Sequence, residues 1–147
     1  MPPNIADKAK RLMNERKVHC AQAVFVTFVE QLGLGDLDVE SSMKIASAFS
    51  GGIAHTGNVC GALNGALMAL GLKYGGADST KVNEVATKFL DEFKSLHGTT
   101  ICRELIDHDL ITEEDVQRAF KTGAFDKCPQ FVEDASIILE RILKDSS

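Results

Sequence analysis

The sequence predicts an all-α fold, a single-domain helical bundle of about six to seven helices spanning residues 1–147, and three observations carry this reading. Apolar residues recur at three- and four-residue spacing through most of the chain, the period of a helix with one buried face. Strand-like alternation is nearly absent. Gly, Asp, Ser and Thr stand between the periodic segments, where helices start and stop. With 44% hydrophobic and 25% charged residues, the composition is that of an ordinary soluble globule. A chain of 147 residues can bury roughly 70% of its unfolded surface as one domain. Neither a metal nor a disulfide is therefore required for it to fold.

The first helix is expected from Ile5 to about Arg16. A second carries Ala21, Val24, Phe25, Phe28, Val29 and Leu32 on one stripe and stops at Gly33-Leu34-Gly35. Asp38 caps a third, through Ile45 to Phe49. Ser50 to Asn58 is the most irregular stretch. The run from Cys60 to Leu72 is apolar on most sides and rich in Gly and Ala, as expected of a buried central helix with close neighbours. Asp78-Ser79-Thr80 starts an amphipathic helix that places Val82, Val85, Ala86, Phe89, Phe93 and Leu96 on one face and ends at Gly98. A short helix follows Thr99-Thr100. Thr112-Glu113-Glu114-Asp115 opens another, closed by Gly123, and the last runs from Pro129 to about Lys144. No repeat, linker or low-complexity segment divides the chain.

Charge and composition exclude several function classes. The net charge of −5 argues against nucleic acid, because phosphate binding needs clustered Lys and Arg. The one basic stretch, Lys8, Lys10, Arg11, Arg16 and Lys17, is interleaved with Asp7 and Glu15 and reads as a solvated helix face. With no Trp and only Tyr74, a base-stacking platform is not expected. The longest apolar run falls short of the ~20 residues that span a bilayer, so membrane insertion is not expected. The N-terminal stretch has no apolar core after a charged start, and the expected location is the cytoplasm, where thiols stay reduced.

Chemistry points to four cysteines, Cys20, Cys60, Cys102 and Cys128, lying 40, 42 and 26 positions apart. The spacing excludes Cys-x-x-Cys motifs, zinc ribbons and the common ferredoxin runs. Local context is more informative. Pro129 marks Cys128 as an N-cap, Thr100 places Cys102 in a first turn, and Cys60 opens the central helix. Cys20 stands near the start of the second helix. Helix N-termini carry unpaired N–H groups and a partial positive charge, both of which favour thiolate over thiol. The expectation is of low-pKa thiols, with Cys60 as the attacking group. The alternative is plain packing, since free cysteine behaves as a small buried apolar side chain.

His19-Cys20-Ala21-Gln22-Ala23-Val24, Phe49-Ser50-Gly51-Gly52, and Asn58-Val59-Cys60-Gly61-Ala62-Leu63-Asn64-Gly65-Ala66-Leu67-Met68 together resemble the signatures of the C_GCAxxG_C_C family. Thr99-Thr100-Ile101-Cys102-Arg103-Glu104-Leu105 and Cys128-Pro129-Gln130-Phe131-Val132-Glu133-Asp134-Ala135 resemble its third and fourth cysteine motifs. The resemblance runs from about residue 5 to residue 143. It implies a helical, redox-active protein defined by all four cysteines. The chain also resembles the amino-terminal domain of split-Soret cytochromes, where related cysteines accompany an iron–sulfur cluster. That resemblance implies Cys20, Cys60, Cys102 and Cys128 as ligands of such a cluster, with zinc a less favoured occupant. Haem is not implied, because Cys-x-x-Cys-His is missing.

Of the histidines, His19 and His55 lie nearest the cysteines in sequence, while His97 and His108 read as exposed. The loop from Ser50 to Asn58 lacks the signatures of phosphate or dinucleotide binding and reads as a wall over Cys60. Arg103-Glu104, Glu113-Glu114-Asp115 and Glu133-Asp134 read as exposed or dipole-stabilising helix charge. The function expected is thiol–disulfide or electron-transfer chemistry with an unidentified redox partner. The rival reading is a helical binding or assembly module whose cysteines only pack, or hold a structural zinc. Ala- and Gly-rich faces suit homodimerisation.

Overall fold

The computed structural model describes residues 4–15 and 18–145; Arg16 and Lys17 of the basic stretch, and the first three residues, lie outside the described residues. Among the described residues eight α-helices follow one another: α1 (Ile5–Asn14), α2 (Cys20–Leu32), α3 (Val39–Ala46), α4 (Gly61–Tyr74), α5 (Thr80–His97), α6 (Cys102–Leu105), α7 (Glu113–Thr122) and α8 (Cys128–Asp145). Short 3-10 turns stand at Leu34–Asp36 and Ala124–Lys127. The fold is all-α. Among the described residues the only strand-like pairing is one isolated antiparallel bridge, Val59 with Ile101. No helix among them is long and apolar enough to cross a membrane.

Local signals place most of the helix ends. Asp38 accepts from the Ser41 N–H at 2.6 Å, and Asn4 caps α1 through the Asp7 N–H at 2.7 Å. Thr112 and Asp115 exchange two hydrogen bonds of 3.1 Å, a capping box that satisfies two orphan amides of α7. Helices α2, α5 and α7 stop at Gly33, Gly98 and Gly123, as the sequence predicts. At α6 and α8 the starts shift by one position. Ile101, not Thr100, is the N-cap of α6, and Cys128 is the first helical residue of α8 because the 3-10 turn runs straight into it. Lys10 of the basic stretch is paired with Glu133 at 3.5 Å, which ties α1 to α8.

Helix α4 occupies the centre, packed against α2, α5 and α8. Its Ala62, Leu63, Ala66, Ala69 and Leu70 are fully buried, as are Phe25 and Phe28 of α2 and Phe89 and Phe93 of α5. Truncating one such Phe to Ala would cost about 3–5 kcal/mol. Two glycines set the approach of α2 to α4. A Cβ on Gly65 would collide with the Ala21 carbonyl, and one on Gly61 with the Cys20 sulfur. Gly-x-x-x-Gly therefore brings the start of α2 directly over the start of α4.

The bridge does the same for another pair of helix starts. The Cys60 N–H donates to the Thr100 carbonyl at 2.9 Å, and the Cys102 N–H donates to the Asn58 carbonyl at 2.6 Å. These bonds clamp the beginning of α4 beside the beginning of α6. Arg103 adds its own hold on this junction, donating from both its backbone N–H and its guanidinium to the Gly57 carbonyl at 3.3 Å.

Candidate functional site

All four cysteines sit at helix starts. Cys20, Cys102 and Cys128 are the first residues of α2, α6 and α8, and Cys60 is the N-cap of α4. Each is buried and outside any disulfide, and all four line one cavity of about 80 Å³. The packing already described explains the convergence. Gly61 admits the Cys20 sulfur, the bridge seats Cys60 beside Cys102, and the turn Ala124–Lys127 delivers Cys128.

The rest of the cavity wall is mostly apolar. Met13, Leu105, Ile106 and Phe131 contribute side chains, and Phe120 and Phe125 close it from the α7 side. The polar contributions come from Ser50, His19 and His55. The Ser50 hydroxyl is buried and accepts from the Ala21 N–H at 3.2 Å, satisfying one of the free amides of α2. The loop that the sequence marks as irregular is a wall of this cavity, through Ser50, Gly51 and His55.

Its backbone is unusual. Gly51, Gly52, Ile53, Ala54 and His55 are consecutive residues with φ between +52° and +73°. L-residues pay about 1–2 kcal/mol each for that conformation, and a β-branched residue such as Ile53 is a genuine outlier there. Hydrogen bonds hold the run. Ala54 N–H donates to the Ala48 carbonyl at 2.7 Å, His55 N–H to that of Ser50 and Gly57 N–H to that of Gly51, both at 3.0 Å. The His55 ring fills the space that a side chain on Gly51 would need. Around it stand His19, edge-on at 5.5 Å between centroids, Phe120 at 5.7 Å and Phe125 at 6.0 Å.

The electrostatics overturn one expectation from the sequence. Cys60 was expected to be a low-pKa thiol at a helix start, but burial pushes its pKa well above the ordinary thiol range, and the neighbouring Cys20 sulfur adds to the rise. Backbone amides of Ala62 and Leu63 pull the other way, as a helix N-terminus should, and lose. Cys102 is pushed up to about 12, by burial first and by Cys20 second. Cys128 moves in the same direction through burial, then Cys20, Cys60 and Cys102. Desolvation of a full charge outweighs partial charges on a few amides. Cys20 is the hub, since its sulfur raises the cost of ionising each of the others.

The other sequence candidates sort plainly. His55 is half-buried, and burial followed by the nearby His19 lowers its pKa, so its ring is neutral at pH 7. His97, expected to be exposed, is mostly buried. It bonds Asp134 at 2.9 Å and stacks on Phe93 and Phe131, because α5 and α8 pack side by side at that level. His108 is partly buried and bonds the Asp109 carbonyl at 2.7 Å. Glu113, Glu114 and Asp115 do lie in the first turn of α7. Sequence reasoning missed the aromatic cover, Phe120 and Phe125. One signal was legible: Phe120 is the lone aromatic of the largely polar helix Glu113–Thr122.

Among the described residues, no group of three or more His, Cys, Asp or Glu side chains stands arranged to hold a metal ion. The sulfurs share a wall without closing on a single point.

No solved structure matches the chain. A protein of Archaeoglobus fulgidus described as uncharacterized is 32% identical over 159 aligned residues, which cover 95% of this chain and 96% of that protein. Residues 18–142, which contain all four cysteines, match the family model described as "Putative redox-active protein (C_GCAxxG_C_C)". The match covers most of the chain, and the chain belongs to the C_GCAxxG_C_C family.

Proposed function

We propose that the four-cysteine cavity is a redox centre whose sulfurs hold an iron–sulfur cluster. The observation that carries this reading is convergence: sulfurs from four separate helix starts line one cavity, and burial together with the neighbouring sulfurs opposes ionisation of Cys60, Cys102 and Cys128. Thiols that resist ionisation are poor attacking groups. A bound multivalent metal reverses the balance, because a coordinating thiol is deprotonated outright and the repulsion between thiolates becomes attraction to the metal. Four soft sulfur donors in an apolar wall match the ligand set of such clusters.

A single zinc ion suits the cavity less well. With Zn–S bonds of about 2.3 Å it would draw all four sulfurs onto one point, and the described side chains show no such grouping. Thiolates on separate irons need not crowd together in that way. When bound, a cluster would carry one electron at a time. The chain's own part is to seat four ligands on rigid helix starts, to satisfy the α2 amide through Ser50, and to keep the site apolar.

A specific observation favours a second reading, dithiol exchange. The Cys20 sulfur lies against Gly61, the residue that follows Cys60, and both cysteines line the same cavity. One would attack a partner's disulfide and release one partner thiol. The other would then displace the second, so that two protein thiols become one disulfide while the partner's disulfide becomes two thiols.

Anaerobic purification followed by a visible spectrum and analysis for iron, sulfide and zinc separates the readings. The expected result is a coloured protein with iron and acid-labile sulfide, both lost in Cys60→Ser. A colourless, metal-free protein whose thiols cycle in pairs would replace the cluster with the dithiol. Thiols inert to mild oxidant in a metal-free protein would sink both.

A further inference from the structure

We infer that the cysteine cavity is reached from one side, through a partition of Met13, His19, Phe120 and Phe125, and that helix α7 is the lid over that passage. The inference rests on the cavity being the reactive site, but not on what its sulfurs hold.

Exposure around the cavity wall is uneven. Of the described residues that line it, only Met13, His19, His55, Phe120 and Phe125 are exposed or half-buried. Every other, the four cysteines included, is buried. A larger groove lies outside, formed by the end of α1, the start of α2 and the turn Ala124–Lys127, with exposed Asn14 and Asp126 in its lining. Met13, His19, Phe120 and Phe125 line both spaces. These four side chains therefore stand between the outer groove and the sulfurs.

The two halves of the partition are held very differently. Met13 belongs to α1, which packs on α8, and His19 caps α2, which packs on α4. Phe120 is carried by α7, whose one buried residue is Ala119 and which packs chiefly on the turn that follows it. Among the described residues, the hydrogen bonds and the ion pair of α7 stay within residues 111–123. Its hold on the rest of the partition is ring contact, Phe120 to Phe125 at 4.7 Å and to His55 at 5.7 Å. Two Phe rings can part without stranding a buried donor or acceptor. Gly123, at φ +77° between α7 and the turn, is a residue able to absorb a change of backbone angle. Shut, the lid keeps bulk water off the sulfurs; open, it admits a reactant from the groove.

Two measurements test this. Hydrogen exchange of the protein as purified should show the amides of α7 exchanging ahead of those of α4 and α8 without denaturant. In the metal-free protein, thiol labelling by N-ethylmaleimide is compared with labelling by the bulkier fluorescein maleimide. Both add to the same thiolates, so the ratio of their rates reports access and cancels differences in ionisation. Met13→Ala and Phe120→Ala, which thin the partition from either half, should each raise the bulky-to-small ratio about fivefold or more, the factor that ~1 kcal/mol gives. Ile106→Ala thins the buried wall instead and should leave the ratio unchanged; Leu105→Ala replaces it if that variant does not fold.

A ratio unmoved by Met13→Ala and Phe120→Ala, or raised as much by the buried-wall variant, would overturn the passage. Exchange in α7 as slow as in α4 would overturn the lid. Neither readout needs iron, so an iron-free parent would refute the cluster while the passage and its lid stand or fall separately.

Discussion

Cys20 and Gly61 share one volume: the sulfur of the first occupies the place where a side chain on the second would stand. The same Cβ would approach the Ser50 Cα to 2.9 Å, so helix α4 and the loop before it are both built around the Cys20 sulfur. A buried cysteine sulfur and a packing glycine are one structural unit here.

Gly61→Ala should therefore cost about 1–3 kcal/mol of stability through overpacking. Gly71, on the same helix, has nothing within 4 Å of an added Cβ. Gly71→Ala should instead stabilise by about 0.4–1 kcal/mol. Urea midpoints of the two variants measure this. Equal effects would show that Gly61 does not set the spacing of α2 and α4.

Alkaline pH should destabilise the metal-free protein. The folded chain holds the Cys102 proton up to about pH 12, whereas an ordinary thiol releases it near 9.0. Between those values the unfolded state binds fewer protons, so stability falls as pH rises. The contribution is fully present below pH 9.0 and is lost as the pH approaches 12. Cys60 and Cys128 shift the same way and steepen the loss. Denaturation midpoints across this range should slope downward, and Cys102→Ser should flatten the slope. A flat profile for the parent would contradict the burial argument.

Ala54 adopts φ of +52° within the left-handed run. Ala54→Gly should relieve that conformation and raise stability by about 1 kcal/mol, seen as a higher melting temperature. A lower one would mean that the run carries no strain.

Helix α7 buries only Ala119, while Phe120 is 55% exposed and yet lines the cavity with Phe125. A segment held by so few contacts should open ahead of the rest of the molecule. Thiol labelling of the metal-free protein should accordingly proceed in low urea with little urea dependence. Phe120→Ala with Phe125→Ala should speed it by about tenfold or more. Labelling that tracks global unfolding in both proteins would show that the aromatic cover does not move independently.

Much of this site was legible before any coordinates. Pro129, the run from Cys60 into Gly61-Ala62, and the apolar period after Cys20 place three cysteines at helix starts from local preference alone, and Thr99-Thr100 came within two positions of the α6 cap. The left-handed run was not legible, because Ile53 and Ala54 are residue types that ordinarily avoid it. His97 was read as exposed since nothing in its neighbourhood in sequence announces Asp134, 37 positions away.

What the sequence determined by itself is the set of helices, the caps that begin and end them, and the identity of the four sulfurs, because these depend on neighbours within a turn or two. Tertiary structure decided whether those sulfurs meet and how readily they ionise. At Cys60 the helix-start amides of Ala62 and Leu63 favour thiolate, but they supply only partial charge. Packing α2, α4, α6 and α8 around one cavity removes water and sets sulfur against sulfur, and at Cys60 that larger energy inverts the local preference.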